Sequence, residues 1–448
     1  MQKHIAAELK LARFKKIAAE QSPEIYVYAG NRSCPVRPLR TTLKSRHHLV
    51  SLTKGVAERL KLPASPFLIY HSDARSLCIG PVIGVLVSSL RAGGKPIRFE
   101  SRMYKEMIKH ARQRGGLVFL FSYHGTSKHK DLVEGVTTDN KGQWVQGVYP
   151  RPDIVYNRIR KRKIEKRPEI QALLKQYDDD PHLFLFNSRY LSKWEVYMAA
   201  STVPMVSSLF PFTLQFSRQN LEILLERYGQ VLIKPDMGSL GKGIIKVQAL
   251  SDRNFRFAAS SAPLAWTNCR SINDLYIALR KQSAIPEDFL LQQVVDLCRL
   301  KGRIFDVRAQ FQKDGMGSWV ITGAAVRVAG KDQFVTHIPN GGRAEDYQRV
   351  IRRIFRHPAI KTALDDQLAY ICRHVPVLLE KRLELNLGIV SMDIAIDHQG
   401  KMWILEVNSK PSSFDEVDIR RKHNRLLIDY CIHIAAQQRM ELTERSGL

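Results

Sequence analysis

The chain has 448 residues, enough for two or three domains with a substantial buried core. Its 44% hydrophobic and 25% charged content is ordinary for a globular protein. The six scattered cysteines include no C-x-x-C pair, which argues against a disulfide framework or a thiolate zinc site. No stretch approaches the roughly 20 apolar residues that span a bilayer. We therefore expect a cytoplasmic protein without a membrane partner.

Three regions are predicted along the chain. Residues 1–75 contain short β-prone runs broken by proline and glycine, which predicts a β-rich N-terminal region. In residues 76–203 strand-like runs alternate with helical patterns, which predicts an α/β domain with a parallel sheet. Residues 204–448 carry two polar motifs between apolar strands. The predicted elements are strands at Gly80–Ser88, Gly116–Phe121 and Asp153–Tyr156, and helices at Tyr104–Arg114 and Phe414–Glu441.

The net charge of the chain is far from balance. Seventy lysines and arginines against 43 aspartates and glutamates give +27, an excess that favours anionic partners. The densest basic block, Arg158–Arg167, is predicted to lie outside the binding machinery and to dock on an acidic macromolecular surface. Side chains that only keep the protein soluble are an equal alternative. No aromatic residues interleave with the basic runs and no nucleic-acid-binding signature accompanies them, so a nucleic-acid partner is not favoured.

A glycine-rich loop between two apolar strands is the first candidate binding motif. One strand ends at Lys234 and the next begins at Ile244. Glycine lets backbone N–H groups approach a phosphate, and lysine adds a point charge. Because both flanks are strand-like, the loop differs from a Walker-type loop, which leads into a helix. It is predicted to fold over a nucleotide as a flap, although a long hairpin loop is the alternative. The candidate phosphate ligands are Lys234, Gly238, Ser239, Gly241, Lys242 and Gly243.

The second motif is a predicted β-hairpin near the C-terminus. Apolar and polar residues alternate on both sides of Gln399-Gly400, and a two-residue turn there sets Asp393 opposite Glu406. Asn408 lies two residues beyond Glu406 and therefore on the same face. Two carboxylates that face each other across strands repel, and a hard divalent cation removes that penalty. Asp393, Glu406 and Asn408 are therefore candidate ligands for Mg²⁺ or Mn²⁺.

Together the two motifs resemble the ATP-grasp superfamily, in which a strand-end lysine, a glycine flap and a terminal Asp…Glu-x-Asn array occur in this order. The resemblance covers roughly Pro204 to Tyr430. It implies an α/β protein with an ATP-grasp domain at 204–448, in which ATP lies between two α+β subdomains, and a pre-ATP-grasp domain at 76–203. The chain is also similar to the narrower group of YheC/YheD-type endospore coat-associated proteins, through Ile79–Leu86, Val155–Ile159, Leu185–Arg189 and Glu406–Pro411.

The resemblance implies roles for further residues. The apolar strand Asp288–Asp296 matches the hinge whose backbone meets the adenine edge, so Gln292, Gln293 and Val294 become candidate nucleotide contacts. At Gln293 many relatives carry an acid, which makes a side-chain role for this residue less direct.

Three charged residues are assigned to the reacting end of the nucleotide. Asp306 and Arg308 share one strand face, where the resemblance implies contact with a ribose hydroxyl or the transferring phosphoryl group. A structural Asp306–Arg308 pair is the alternative. Arg327 is expected to hold a carboxylate or acyl phosphate bidentately. Many ligases carry arginine two residues before the metal-binding aspartate, where this chain has Ser391, so catalytic charge stabilisation is expected from Arg308 and Arg327.

The activity implied by the resemblance is Mg-dependent carboxylate–amine ligation through an acyl phosphate. A carboxylate substrate and an amine or related nucleophile are the expected partners besides ATP. Association with the endospore coat, through acidic coat macromolecules, is also expected. The alternative is a nucleotide-binding structural or assembly protein of the coat that has no turnover.

Overall fold

The computed structural model describes most of the chain, in which four β-sheets follow one another. Every helix in the described ranges is too short or too polar to serve as a membrane span. The described residues are 8–12, 25–41, 49–63, 66–73, 75–90, 100–126, 131–238, 241, 243–251, 253–260, 265–283, 288–330, 336, 343–412, 414 and 416–446.

The first six strands close into a barrel, on which one short helix packs. These elements are β1 (Glu8–Ala12), β2 (Ile25–Ala29), β3 (Arg32–Thr41), β4 (Leu49–Leu52), α1 (Lys54–Leu60), β5 (Pro66–Ser72) and β6 (Ser76–Gly80). The order around the barrel is β1-β3-β2-β6-β5-β4. In β2, Ile25, Val27 and Ala29 are buried while Tyr26 is exposed, the period-two pattern of a strand with one face on a core.

The second sheet mixes parallel and antiparallel strands. Its elements and the helices that follow are β7 (Val82–Leu86), α2 (Ser101–Gln113), β8 (Leu117–Phe121), a 3₁₀ turn (Tyr123–Gly125), β9 (Leu132–Thr138), β10 (Trp144–Pro150), β11 (Ile154–Asn157), α3 (Arg162–Glu165), α4 (Pro168–Asp178), β12 (Phe184–Phe186), α5 (Lys193–Ser201) and α6 (Pro204–Ser207). The order is β10-β9-β8-β7-β11-β12, parallel from β8 to β12. β7 and β8 are buried at every position, as expected for strands covered on both faces. The three strands and the helix predicted here are confirmed to within a few residues.

The third sheet is antiparallel throughout, in the strand order β13-β18-β14-β15-β16-β17. Its elements are β13 (Thr213–Gln215), α7 (Arg218–Tyr228), β14 (Gln230–Pro235), β15 (Ile245–Ala249), β16 (Phe255–Ala259), β17 (Thr267–Cys269), α8 (Ile272–Ser283) and β18 (Phe289–Gln293). α7 begins where the Ser217 side chain accepts a hydrogen bond from the Asn220 backbone, and it ends at Gly229 in the left-handed region. Its buried leucines pack on the strands beside the glycine loop.

The fourth sheet contains the predicted hairpin. Its elements and the remaining helices are β19 (Arg299–Leu300), β20 (Arg303–Lys313), β21 (Trp319–Val328), β22 (Arg343–Asp346), α9 (Tyr347–Ile354), α10 (Pro358–Leu383), β23 (Ile389–Ile396), β24 (Met402–Asn408) and α11 (Val417–Ser446). The strand order is β22-β21-β20-β23-β24, with β19 paired to β20. α10 shares a core with this sheet. α11, the confirmed last helix, packs on α2 and β5 and so joins the C-terminus to the first two sheets.

The hairpin pairing is confirmed, but the predicted turn is wrong. β23 and β24 are antiparallel, with Asp393 opposite Glu406. Instead of a two-residue turn at Gln399-Gly400, a three-residue loop follows Asp397. The loop is closed by a hydrogen bond from the Asp397 backbone N–H to the Lys401 carbonyl. The Asp397 carboxylate accepts backbone hydrogen bonds within the loop, and Gly400 has φ +79°, the left-handed position that such a loop requires.

A β-bulge restores the predicted register. Near the loop Ile394 pairs with Ile404, but one step further Asp393 pairs with Glu406, so Leu405 has no partner. The longer loop shifts the pairing by one residue and the bulge shifts it back. The two offsets cancel at the predicted metal ligands.

Candidate functional site

A cleft of about 810 Å³ lies between the third and fourth sheets, a volume typical of small-molecule sites. β14 and β18 form one side of it, and β20, β21, β23 and β24 form the other. The predicted residues that line it are Lys234, Gly238, Gly241, Gln292, Gln293, Val294, Asp306, Arg308, Arg327, Asp393, Glu406 and Asn408. Gly243 is not among the lining residues, and Ser239 and Lys242 lie outside the described part of the chain.

Lys234 is buried at the end of β14, although a lysine before proline is more often solvated. Its ammonium donates to Gln292 Oε1 at 2.5 Å, across the β14–β18 pair. Burial lowers the pKa of Lys234 to about 8, Lys193 acts in the same direction, and the carboxylate of Glu406 opposes them. A buried cation with one neutral partner has donors left for an anion.

The glycine loop is fastened at its base by α5. Lys193 Nζ donates to the Asp236 carbonyl at 3.2 Å and to the Gly238 carbonyl at 2.9 Å, and the Asp236 carboxylate accepts the Trp194 backbone N–H at 2.8 Å. Only glycine fits at 238, because a Cβ there would lie 2.3 Å from Pro235 Cγ. Lys193 was missed from the sequence, where only the helix-start pattern of Ser192 and Glu195 marks this position.

The end of β18 is held by polar side chains. Gln292 Nε2 donates to Thr213 Oγ1 at 3.3 Å, and Gln293 Oε1 accepts the Phe212 backbone N–H at 3.2 Å. The Gln293 side chain is therefore occupied in fixing the segment before β13. Val294 follows in the cleft wall, where its backbone is not part of a named strand.

Four charged residues on three adjacent strands form what we call the charged floor: Asp306, Arg308, Arg327 and Asp393. Arg327 Nε and Nη2 donate to the two oxygens of Asp306 at 2.7 and 2.6 Å. Arg308 binds the two oxygens of Asp393 at 2.9 and 3.0 Å, and Arg327 Nη2 lies 2.9 Å from Asp393 Oδ2. The alternative of an Asp306–Arg308 pair is wrong, because directly opposite residues on adjacent strands lie closer than residues i and i+2.

Asp393 and Arg327 keep their charges although they are buried, whereas burial raises the pKa of Asp306 against the opposing effect of Arg327. Burial alone would raise the pKa of Asp393, but Arg308 and Arg327 hold it well below the usual aspartate range. Burial acts to lower the pKa of Arg327, but the carboxylates of Asp393 and Asp306 outweigh this effect and raise the pKa above its ordinary value. Each buried charge thus has an opposite charge in contact, which is the condition for its burial.

Asp393, Glu406 and Asn408 line the cleft on one face of the hairpin, as predicted. Their oxygen donors suit a hard cation such as Mg²⁺. Of the two carboxylates, Glu406 is the more weakly paired: its described ion-pair partner, Lys193 Nζ, lies 3.6 Å away, whereas Asp393 is bound by two arginines. In the described ranges no group of three or more His, Cys, Asp and Glu side chains is arranged to bind a metal, so a cation here would need phosphate oxygens as well.

The expectation that the basic block lies outside the binding machinery is wrong. Four of its residues, which we call the basic wall, line the cleft: Arg160, Lys161, Arg162 and Lys163. The segment lies against the cleft because Arg158 is buried and binds Glu100 at 3.1 Å and the Pro411 carbonyl. No pattern in the sequence predicts this contact, because it joins positions more than two hundred residues apart.

Comparison with known proteins gives consistent matches. Residues 182–434, more than half of the chain, match the family model described as YheC/D like ATP-grasp. The chain is 27% identical over 384 residues to the endospore coat-associated protein YheD of Bacillus subtilis (strain 168), with 83% of this chain and 82% of that protein covered. It is 24% identical over 272 residues to the endospore coat-associated protein YheC of the same organism, with 60% and 73% covered. A solved structure, VanG D-Ala:D-Ser ligase from Enterococcus faecalis, has a TM-score of 0.44 at 11% identity, covering 80% of this chain and 99% of that one.

Proposed function

The chain belongs to the YheC/D-like ATP-grasp family, and from that premise we propose that it uses Mg·ATP to activate a carboxylate for ligation. The observation that carries the proposal is the meeting, in one cleft, of the buried cation Lys234 with the carboxylates of Asp393 and Glu406. A phosphate-binding cation opposite an oxygen ligand set is what a metal–nucleotide complex requires.

In this proposal the nucleotide lies along the third sheet. Lys234 contacts the α- or β-phosphate, and the glycine loop covers the phosphates, because Lys193 fastens its base beside them. The backbone at Gln292 to Val294 meets the adenine edge. Asp306 is buried, binds Arg327 through both of its oxygens and accepts a hydrogen bond from Thr336, so it acts by orienting that arginine rather than by binding ribose.

Mg²⁺ or Mn²⁺ is proposed to be held by Asp393, Glu406 and Asn408. The donor set supports this, since all three side chains offer oxygen on one face and Glu406 has no partner nearer than 3.6 Å among its described ion pairs. When bound, the cation would neutralise charge on the phosphates of ATP.

The proposed reaction has two steps. A carboxylate oxygen of the substrate attacks the γ-phosphorus, the bond to the β–γ bridging oxygen breaks, and ADP leaves an acyl phosphate behind. An amine nitrogen, or a related nucleophile, then attacks the acyl carbon, phosphate leaves, and the nitrogen loses a proton. Arg308 and Arg327 stabilise the transferring group, since the Nη1 group of each makes no hydrogen bond to the described residues.

The site of action is proposed to be the endospore coat. Two relatives of this chain are named endospore coat-associated proteins, and we extend that association to this protein. It would be made in the cytoplasm and become associated with the coat. A fluorescent fusion that stays evenly distributed throughout sporulation would contradict this part of the proposal.

Trapping the acyl phosphate tests the reaction. Purified protein with Mg·ATP, candidate carboxylates and hydroxylamine should release ADP and form a hydroxamate, and a chelator should abolish both. ATP binding without ADP release for any tested acid would leave the second candidate function.

That second candidate is nucleotide binding without turnover, in a structural or assembly protein of the coat. One observation favours it: the carboxylate of Asp393 already accepts from Arg308 and Arg327, the two arginines proposed for catalysis. Binding of ATP would then serve only to order the cleft.

A further inference from the structure

The basic wall lines the cleft between the glycine loop, where Arg162 Nη1 donates to the Met237 carbonyl, and the chain that follows the predicted metal ligands. After Asn408 the chain continues through Lys410 to Pro411 and Ser412, which also line the cleft. Arg160 Nη2 donates to Ser412 Oγ at 3.0 Å, which places the wall beside this continuation. A group bound there would lie past the nucleotide phosphates, where the attacking carboxylate must be.

The positive charge of the basic wall is only partly matched. Arg160 shares Glu100 with the buried Arg158. Lys161 and Lys163 are exposed, and neither has an acidic partner within 4.0 Å in the described ranges. The exposed cations continue outside the cleft at Lys166 on the same segment. Unmatched charge of one sign in a cleft attracts and orients an oppositely charged ligand.

Ser391 independently indicates a ligand in this part of the cleft. It is fully buried, it lines the cleft, and it is paired with Asn408 on the hairpin. Its hydroxyl oxygen has no hydrogen-bond partner among the described residues. A buried hydroxyl without a partner is costly in the free protein, and a substrate carboxylate would satisfy it.

We propose that the activated substrate is an acidic polypeptide, whose reacting carboxylate meets Ser391 and whose neighbouring carboxylates lie along Lys161 and Lys163. This inference rests on the proposed function. The wall carries four cations, of which Lys161 and Lys163 are exposed and unmatched, and this is more positive charge than one carboxylate can pair with. In this proposal the part of the basic block that lines the cleft binds substrate.

The aromatic residues distinguish a polypeptide from a nucleic acid. The described aromatic residues that line the cleft are Phe305, which is buried, and Tyr190. Arg162 covers the Tyr190 ring at 4.7 Å and Lys410 approaches it at 5.0 Å. The Phe305 ring is buried and the Tyr190 ring is covered by cations, so neither offers a surface on which a base could stack.

Binding of short poly-L-glutamate to the full chain, measured without nucleotide, tests the proposal. The affinity should fall as salt rises, and it should fall at least about tenfold in Lys161→Glu/Lys163→Glu. Lys381→Glu/Arg382→Glu is the matched control, since it makes the same charge change at exposed positions at the end of α10, outside the cleft lining. This control should bind like the unmodified protein.

Single-stranded RNA and inorganic polyphosphate are the competing probes. Preference for either over poly-L-glutamate would overturn the proposal, as would equal losses in the wall variant and its control. Failure of the proposed function is seen separately: poly-L-glutamate that binds at the wall but yields no ADP and no hydroxamate with Mg·ATP would refute ligation and leave acidic-polypeptide recognition standing.

Discussion

The charged floor and the basic wall occupy the same cleft but handle charge differently. In the floor, Arg327 and Asp306 are 7% and 5% exposed and in bidentate contact. In the wall, Lys161 and Lys163 are exposed and unmatched within the described ranges. A buried charge must be paired, whereas an exposed one is screened by water and can remain in excess. The floor is therefore suited to fixed positioning and the wall to attracting a ligand.

Arg327→Met should have the largest effect, because it leaves two buried carboxylates without this partner. We expect the free energy of unfolding to fall by about 3–5 kcal/mol. Urea denaturation measures it, with Arg327→Lys as the control that retains the charge but loses the bidentate geometry. A loss below about 1 kcal/mol for the methionine variant would show that the floor is not held by charge pairing.

Glu406→Gln changes a carboxylate that lies beside the charged floor and is only weakly paired. Removing its charge should lower the affinity for Mg·ATP roughly 10- to 100-fold while the protein remains folded, because its nearest described cation, Lys193, lies 3.6 Å away. Calorimetry with and without chelator measures the metal-dependent part of binding. Equal ATP affinities of the unmodified protein in Mg²⁺ and in excess chelator would contradict the metal assignment.

Because Lys234 is buried and incompletely paired, its ammonium group should lose a proton within an accessible pH range. Its pKa is about 8 in the free protein, and a bound triphosphate would raise it. ATP affinity should be nearly constant below pH 8 and fall as the pH rises above 8, by at most about tenfold per pH unit for one proton. ATP binding at pH 9 should take up a proton. Lys234→Arg keeps the charge at all these pH values and should remove the dependence, whereas an unchanged profile in this variant would exclude Lys234 as its source.

The α/β ATP-grasp class and the YheC/YheD-type resemblance are confirmed by the family match. The hairpin was predictable because alternation fixes which residues share a face, so Asp393 faces Glu406 even though the loop and the Leu405 bulge were missed. Contacts between distant segments were not predictable. The Arg158 contact with Pro411 carries the wall into the cleft, and no local pattern records it.

Ser391→Ala tests a buried hydroxyl in the cleft that has no hydrogen-bond partner among the described residues. Since the alanine variant removes an unsatisfied buried hydroxyl, the free energy of unfolding should stay the same or rise by up to about 1 kcal/mol. The KM for the acidic polypeptide should rise, while ATP affinity is retained. An unchanged KM would mean that the Ser391 hydroxyl does not contact substrate.

The smallest effect on stability is expected in the wall itself. Lys161→Ala and Lys163→Ala remove exposed side chains that have no ion-pair partner in the described ranges, so the free energy of unfolding should change by less than about 0.5 kcal/mol. The same two variants should nevertheless reduce the salt dependence of poly-L-glutamate binding, because fewer screened contacts remain. Denaturation and binding measured on the same preparations separate the two quantities. A clear loss of stability would show that these lysines are paired in the folded protein, and the contrast between floor and wall would then fail.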